Sequence, residues 1–575
     1  MEIPYNPALF QMEPHFVFTG LCVTGALFAI VFFLGQRSKA AMTAFLCACF
    51  IAGTANYFVA SFKGQPVLPS DVMALQTAAS VSGGYTYAIG SSVLFAFALL
   101  ATMAAAIAVV SPSRPNVRDI AVDTSAGIAV LTAFCLWFCA GDIEEDYHCT
   151  VDVWSSLDSY QSNGSLLCFL QRSQLLTPKP PDGYSPEQAA LIRNEKAGIA
   201  LADKALDESP ATAPDVRPAI VAIMNETFSD LSRYPGIGDI YDGPDALRGL
   251  DDALVEGDCY VSAMGGGTCN SEFEFLTGSS MGLLGAGIYP YMLYDLRGTD
   301  NLAGYLSSIG YKTSAIHPAQ KENWRRDRVY AQLGFDAFYS EEHFEDTETF
   351  RGMVSDGATY DLILDLLAQD DAPQFIFDVT IAGHGGYDTN MIEESDAVHV
   401  EIGGMEYAEV NEYLACVKRA DEELSAFLEQ LRTLERPVIV CFFGDHQPGF
   451  VEWLSRETYG NAESDLSEIE LIQERYVTPY MIWTNDEELR LASGKPEMRD
   501  TSLNYLGATL LRKAGLPLDE YFAFTLAMRD DIPAINLNGY QDAQGVWRWH
   551  GESSDSSEAY RQLSMVEHAN LFEKE

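Results

Sequence analysis

Three short stretches place oxygen and imidazole donors directly after apolar runs. In Met224-Asn-Glu226-Thr-Phe a carboxylate follows the run Ala219–Met224, and in Phe443-Gly-Asp445-His446-Gln-Pro a carboxylate and an imidazole follow Val438–Phe443. Between them in the chain, the β-type run Cys259–Met264 breaks at three glycines. It passes through Thr268, in Gly-Gly-Gly-Thr268-Cys-Asn-Ser-Glu272-Phe, into a segment of helical period with Phe273, Leu276 and Met281 as inward positions. Glycines let backbone N–H groups approach a bulky ligand, and the start of a helix favours an anion. Taken singly, each group also reads as an ordinary helix cap or a solvated loop charge. Taken together, Glu226, Thr268, Asp445 and His446 make an oxygen-rich set with one nitrogen. Such a set suits Mn²⁺ or Mg²⁺, with Zn²⁺ a poorer fit. A cation on the Thr268 oxygen would lower its pKa and make it a nucleophile.

Two histidines sit in comparable places. His317 in Ala-Ile-His-Pro follows the run Lys312–Ile316, and His384 in Ile-Ala-Gly-His-Gly-Gly-Tyr follows Gln374–Ile381. Either can hold a phosphoryl oxygen or protonate a leaving alkoxide, and either can simply cap a loop. The other histidines lack such placement. Between Lys312 and Arg328 the chain is locally basic, with Lys321, Arg325 and Arg326 also in that stretch. In Asn323-Trp324-Arg325-Arg326, a bidentate arginine can clamp a phosphate while Trp324 covers an apolar or glycerol-like group. The same residues also suit a solvated basic helix face anchored by Trp324. On a chain of net charge −47, one concentrated basic patch is a reasonable anion site. That charge also argues against a nucleic-acid partner, since no broad basic face is available.

The elements that must position these groups read as an α/β domain. From Pro218 onward, apolar runs bounded by turn residues alternate with stretches of helical period such as Met405–Leu434. This pattern indicates a mostly parallel sheet flanked by helices, whose ligands bind beyond the carboxyl ends of the strands. Upstream lie four apolar segments, roughly 15–35, 40–62, 88–110 and 119–140, each near the ~20 residues needed to cross a bilayer. The fourth carries Asp119 and Asp123 at its start. Arg37 and Lys39 follow the first segment, and Arg114 and Arg118 precede the fourth. Acidic residues Asp142, Glu144, Glu145 and Asp146 open the stretch beyond it. The positive-inside rule therefore puts the first and third loops inside, and the second loop and large C-terminal part outside. The expected organisation is a transmembrane domain over 1–141, a juxtamembrane helical linker over 142–217 and an extracytoplasmic catalytic domain over 218–575. Within the linker, Leu166–Leu176 suits an amphipathic helix at the membrane surface, a charged helix covers roughly 185–206, and Ser209–Pro218 is Pro-rich. Of the eleven cysteines, five lie in apolar runs and the rest show no CxxC spacing. A Cys149–Cys168 disulfide stays open if that region is extracytoplasmic.

These motifs resemble those of membrane-anchored lipoteichoic acid synthases, phosphoglycerol transferases of the sulfatase/alkaline phosphatase superfamily. The resemblance extends to Ala55-Asn-Tyr…Phe62-Lys-Gly-Gln-Pro-Val-Leu-Pro-Ser-Asp71 and Lys179-Pro-Pro-Asp-Gly-Tyr-Ser185. It implies an N-terminal helical membrane domain followed by a sulfatase-like domain. Glu226, Thr268, Asp445 and His446 would bind Mn²⁺, and His317, Trp324, Arg326 and His384 would contact substrate. Thr268, assisted by His384, would carry glycerol phosphate from phosphatidylglycerol to a glycolipid or envelope glycan through a phospho-threonine intermediate. Two features depart from the family: Cys269 stands where a serine is more usual, and four spans are counted where five are typical. Thr268-Cys-Asn-Ser-Glu also lacks the Cys/Ser-x-Pro-x-Arg pattern by which sulfatases proper make formylglycine, which argues against sulfate-ester hydrolysis. The alternatives are a phosphoethanolamine transferase of the same superfamily and a non-catalytic envelope scaffold.

Overall fold

The four apolar runs form helices Pro14–Leu34, Lys39–Ser61, Ser91–Val109 and Val117–Ala140, each long and apolar enough to cross a membrane. The two acids at the start of the fourth are accounted for locally. Asp119 completes a capping box with Asn116, and buried Asp123 pairs with Arg37 at 2.5 Å. This computed structural model describes residues 1–63, 65–73, 89–110, 116–151, 156–176, 178–202, 217–460 and 466–573. The Ser209–Pro218 stretch, up to residue 216, and the end of the expected 185–206 helix lie outside the described residues.

Two compact units result, one holding Met1–Leu75 with Tyr85–Lys179, the other holding Pro180–Glu575. In the first, helices Ile143–Tyr147, Ser156–Asn163 and Ser165–Gln174 follow the fourth long helix. The last of them covers the expected amphipathic stretch. Its Gln174 side chain donates to the carbonyls of Phe138 and Gly141, satisfying acceptors that the helix end leaves open. A small core of Ile143, Cys149, Tyr160, Leu167 and Cys168 closes beneath it.

The second unit begins with helix Pro186–Ala202 and is built on a nine-stranded sheet. Across it the strands run Glu497–Met498, Val255–Tyr260, Val477–Thr484, Val438–Gly444, Ala219–Asn225, Gln374–Val379, Lys312–Ile316 and Ala337–Tyr339, with Thr501–Ser502 also on Val255–Tyr260. Every pairing is parallel except the two made by Val477–Thr484. The period of two sorts side chains between the faces. Val221, Ile223, Val440 and Phe442 pack with Ile363 and Leu414 of helices Asp356–Gln369 and Ala408–Arg432. On the opposite face, Phe377 and Phe443 stack on Phe275 of helix Thr268–Thr277. The helix that opens with Thr268 is thus held by apolar contact to the middle of the sheet. The β-type run expected over Cys259–Met264 is displaced: the strand is Val255–Tyr260, and Met264 makes only an isolated bridge to Gln447.

Gly444 closes the central strand where a Cβ would run into the carbonyl oxygen of Phe228 and lie 3.1 Å from Thr478 Cβ. Gly444→Ala is therefore expected to lower stability by about 1–3 kcal/mol, the usual cost of overpacking. Chemical denaturation of the full chain in detergent, followed by tryptophan fluorescence, measures it.

Candidate metal and nucleophile site

The register of the two central strands pairs Asn225 with Gly444, so the residues after them, Glu226 and Asp445, leave the sheet side by side. Both are buried, as is His446. Thr227, in the left-handed region at φ 56°, turns the chain so that its N–H donates to Asp445 Oδ1 at 2.7 Å and its hydroxyl to Glu226 Oε1 at 2.9 Å. Thr380 Oγ1 accepts from the Glu226 N–H. His446 Nδ1 lies 3.0 Å from the Gln447 carbonyl, which can only accept, so Nδ1 carries the proton and Nε2 a lone pair. That Nε2 stands 3.3 Å from Asp445 Oδ2 and 3.7 Å from Glu226 Oε1.

Three ligand-type atoms therefore lie within 4.8 Å of one another. Asp445 Oδ2 and His446 Nε2 are buried with no hydrogen-bond partner. Burial, then the neighbouring Glu226, holds the Asp445 carboxyl well above the usual carboxylate range. Burial lowers His446, so its imidazole is neutral and its contacts with the carboxylates are not charge pairs. Orphaned acceptors facing each other in a dry site are what a divalent cation would complete, and the residues fit one. Neutral imidazole and carboxylate oxygens are both ligand types that divalent metals take.

Thr268 opens helix Thr268–Thr277, and its hydroxyl donates to Glu226 Oε2 at 3.2 Å. Gly265, Gly266 and Gly267 all adopt positive φ, at 66°, 135° and 95°, which a residue with a Cβ rarely enters. Their turn is pinned by the Gly265 N–H on the Gln447 carbonyl, and the helix by Ser271 Oγ on the carbonyl of Asp445. All four groups expected to share a site come together at one rim of the sheet.

The other expected residues surround this centre differently. His317 is buried, with Nδ1 2.9 Å from the Val379 carbonyl. Burial, then Arg326 and His384, holds it well below its ordinary pKa, so it presents a neutral Nε2 acceptor. His384 is partly exposed on the loop after Gln374–Val379, its Nδ1 3.2 Å from the Gly385 carbonyl. The Trp324 ring packs on Tyr289 at 5.0 Å, and Tyr289 lies beside Gly267. Arg326 departs from the expected phosphate clamp. Its Nε and Nη2 both donate to Glu272 Oε1, at 2.9 and 2.5 Å, while Tyr330 donates to Oε2 at 2.6 Å. Both partners are buried, so the guanidinium fork braces the helix that carries Thr268.

A second buried pair was not foreseen from the sequence. Arg351 donates through Nε to Glu412, and through Nη1 and Nη2 to the carbonyls of His384 and Gly386, with its guanidinium 5.1 Å from the Tyr387 ring centroid. Glu412 also accepts from the N–H and hydroxyl of Thr389. Together they clamp the loop bearing His384 at both ends. Arg351 sits in the turn between the short strands Thr349–Phe350 and Met353–Val354, Glu412 lies within helix Ala408–Arg432, and neither belongs to a motif, so no local signal marks them.

The family described as Sulfatase matches residues 218–516, just over half of the 575 residues. The chain belongs to the sulfatase family. Within it, 390 residues are 28% identical to a Rhizobium meliloti protein assigned to cyclic beta-1,2-glucan modification, covering 65% of this chain and 56% of that one. Over 162 residues it is 26% identical to lipoteichoic acid synthase of Staphylococcus saprophyticus, covering 27% of this chain and 24% of the other. The chain spans about half the length of the first curated relatives it matches. Among solved structures, the Streptococcus pyogenes phosphoglycerol transferase GacH, in complex with sn-glycerol-1-phosphate, superposes with a TM-score of 0.53 at 20% identity. It covers 69% of this chain and 96% of its own, and so shares the sulfatase-like fold.

Arg326→Ala separates a brace from a surface clamp. Removing one partner of a buried ion pair costs about 3–5 kcal/mol. The variant is therefore expected to lose that much stability in denaturant titration, whereas a residue touching only substrate would leave the midpoint unmoved.

Proposed function

We propose that this sulfatase-family member transfers glycerol phosphate from phosphatidylglycerol to a glycolipid or envelope glycan, with Thr268 as nucleophile. The observation that carries the reading is the Thr268 hydroxyl at a helix N-terminus, donating to Glu226 beside Asp445 and unprotonated His446 Nε2. A hydroxyl so placed has an acceptor for the proton it sheds on attack. The amide dipoles of its helix favour the anionic phosphoryl group. Likeness to lipoteichoic acid synthase and a shared fold with a phosphoglycerol transferase support the choice of group transferred. The absence of Cys/Ser-x-Pro-x-Arg at Thr268 speaks against sulfate esters.

In this reading Thr268 Oγ bonds to the donor phosphorus as the bond to the diacylglycerol oxygen breaks. His384 gives the leaving alkoxide its proton. Neutral His317 receives a hydrogen bond from the glycerol moiety, and Trp324 with Tyr289 forms an apolar wall. Arg326 contributes positive potential while holding Glu272 and hence the Thr268 helix. An acceptor hydroxyl then attacks phosphorus and restores Thr268, its own proton taken by His384. Glu226, Thr268, Asp445 and His446 would hold Mn²⁺, which when bound supplies positive charge to the phosphoryl oxygens. The loop charges support a position for this domain outside the cytoplasmic membrane, where the four helices long and apolar enough to span it would keep it next to its lipid donor.

Two outcomes test this. The full chain in vesicles should release diacylglycerol from fluorescent phosphatidylglycerol when Mn²⁺ is present, and Thr268→Ala should lower the rate by at least about 10³-fold. Release only from phosphatidylethanolamine would replace the donor, and an active Thr268→Ala would remove the nucleophile. Asp445→Asn should weaken Mn²⁺ binding by about 10- to 100-fold in calorimetry, and wild-type affinity would exclude it as a ligand.

A further inference from the structure

We propose that Cys149 and Cys168 are joined by a disulfide in the mature protein. The two Sγ atoms lie 3.8 Å apart, and both residues are completely buried. Of the eleven cysteines, all within the described residues, this is the one pair whose sulfurs touch. Their surroundings are Ile143, Val151, Tyr160 and Leu167, and Cys168 Sγ also lies 3.5 Å from the Ser159 carbonyl.

Other uses for two facing thiols fit poorly. The contact with Cys149, then burial, raises the Cys168 thiol far above its ordinary value, which makes it a poor nucleophile. Among the described residues no histidine or carboxylate joins the pair to make a ligand set of three, so a zinc site lacks donors. Bond formation needs the sulfurs to close from contact to about 2 Å.

The link would fall at a structural seam. Cys149 follows helix Ile143–Tyr147 and the left-handed turn at His148, directly beyond the fourth long helix. Cys168 lies in helix Ser165–Gln174, whose Ser165 bonds Glu2 and whose Gln174 bonds Phe138 and Gly141. A bond between them would fasten the cap over the end of the fourth helix. Before folding buries the pair, each thiol gives up its proton, and the pair gives two electrons to the disulfide of an external thiol–disulfide oxidoreductase. One S–S bond forms, and the oxidoreductase leaves with two thiols. The proposal rests on the outward orientation stated under the proposed function, because disulfides persist in oxidising compartments.

Cells expressing the full chain are quenched in acid and denatured in N-ethylmaleimide without reductant, and the peptides are read by mass spectrometry. The expected result is a linked Cys149–Cys168 species, lighter than its two thiol peptides by two hydrogens and separated by reductant. The other nine cysteines should be alkylated. Asp182→Cys, at an exposed position, reports the side of the membrane through a membrane-impermeant maleimide. Surface labelling there with alkylated Cys149 and Cys168 overturns the disulfide and leaves the orientation standing. No surface labelling, with both thiols alkylated, overturns both. As a second readout, reductant should lower the thermal midpoint of the detergent-solubilised wild type by several degrees and leave Cys149→Ser/Cys168→Ser unmoved.

Discussion

Two carboxylates buried side by side, faced by a neutral imidazole and two threonine hydroxyls but no cation among the described residues, set the terms for the rest of the sulfatase-like unit. Glu226 and Asp445 are brought together by strand register, and among the described residues neither pairs with a lysine or arginine. Such an arrangement opposes folding unless something positive completes it. The surroundings keep it in place. Backbone and hydroxyl donors of Thr227 hold both acids, Gly444 lets the Phe228 carbonyl approach, and Gln447 orients the imidazole. Further buried acids lie behind this rim. Asp356, bonded to Asn225, is pushed up to about 7 by burial, then by Glu423. Glu274, on the Thr268 helix, is also pushed up to about 7 by burial. This rim of the sheet is therefore crowded with acidic groups whose charged forms burial disfavours.

Positive charge inside the unit is used to hold geometry. Arg326 and Arg351 are both nearly inaccessible, and each grips a buried glutamate. The first fixes the helix that presents Thr268, and the second fixes the loop that presents His384. Precision at the centre thus depends on residues that never reach it.

The sequence made the central strands and the first donor after each strand readable, because all-apolar runs ending in Asn-Glu226 and Gly-Asp445-His446 state both burial and an abrupt change of chemistry. His317 and His384 were readable for the same reason. Glu272, Glu412 and Arg351 were not, because their partners lie 54 to 61 residues away and nothing local distinguishes a buried ion pair from a solvated charge. Arg326 was noticed for its type and misjudged in its contact, since a guanidinium grips a phosphate and a carboxylate with the same fork. The strand before the glycines was placed too late, because Val261–Met264 is apolar enough to look extended while lying beyond the last ladder pair.

Among the described residues, the strand Val255–Tyr260, which leads toward Thr268, pairs only with Val477–Thr484, Glu497–Met498 and Thr501–Ser502. All of these come more than two hundred residues later in the chain. During synthesis the strand leading to Thr268 has no strand partner until most of the domain has been made. Contacts of such long sequence separation form slowly and late. The seating of Thr268 beside Glu226 is consequently among the last features the nascent polypeptide acquires, and a product cut short before Val477 would carry Glu226 and Asp445 without a seated threonine.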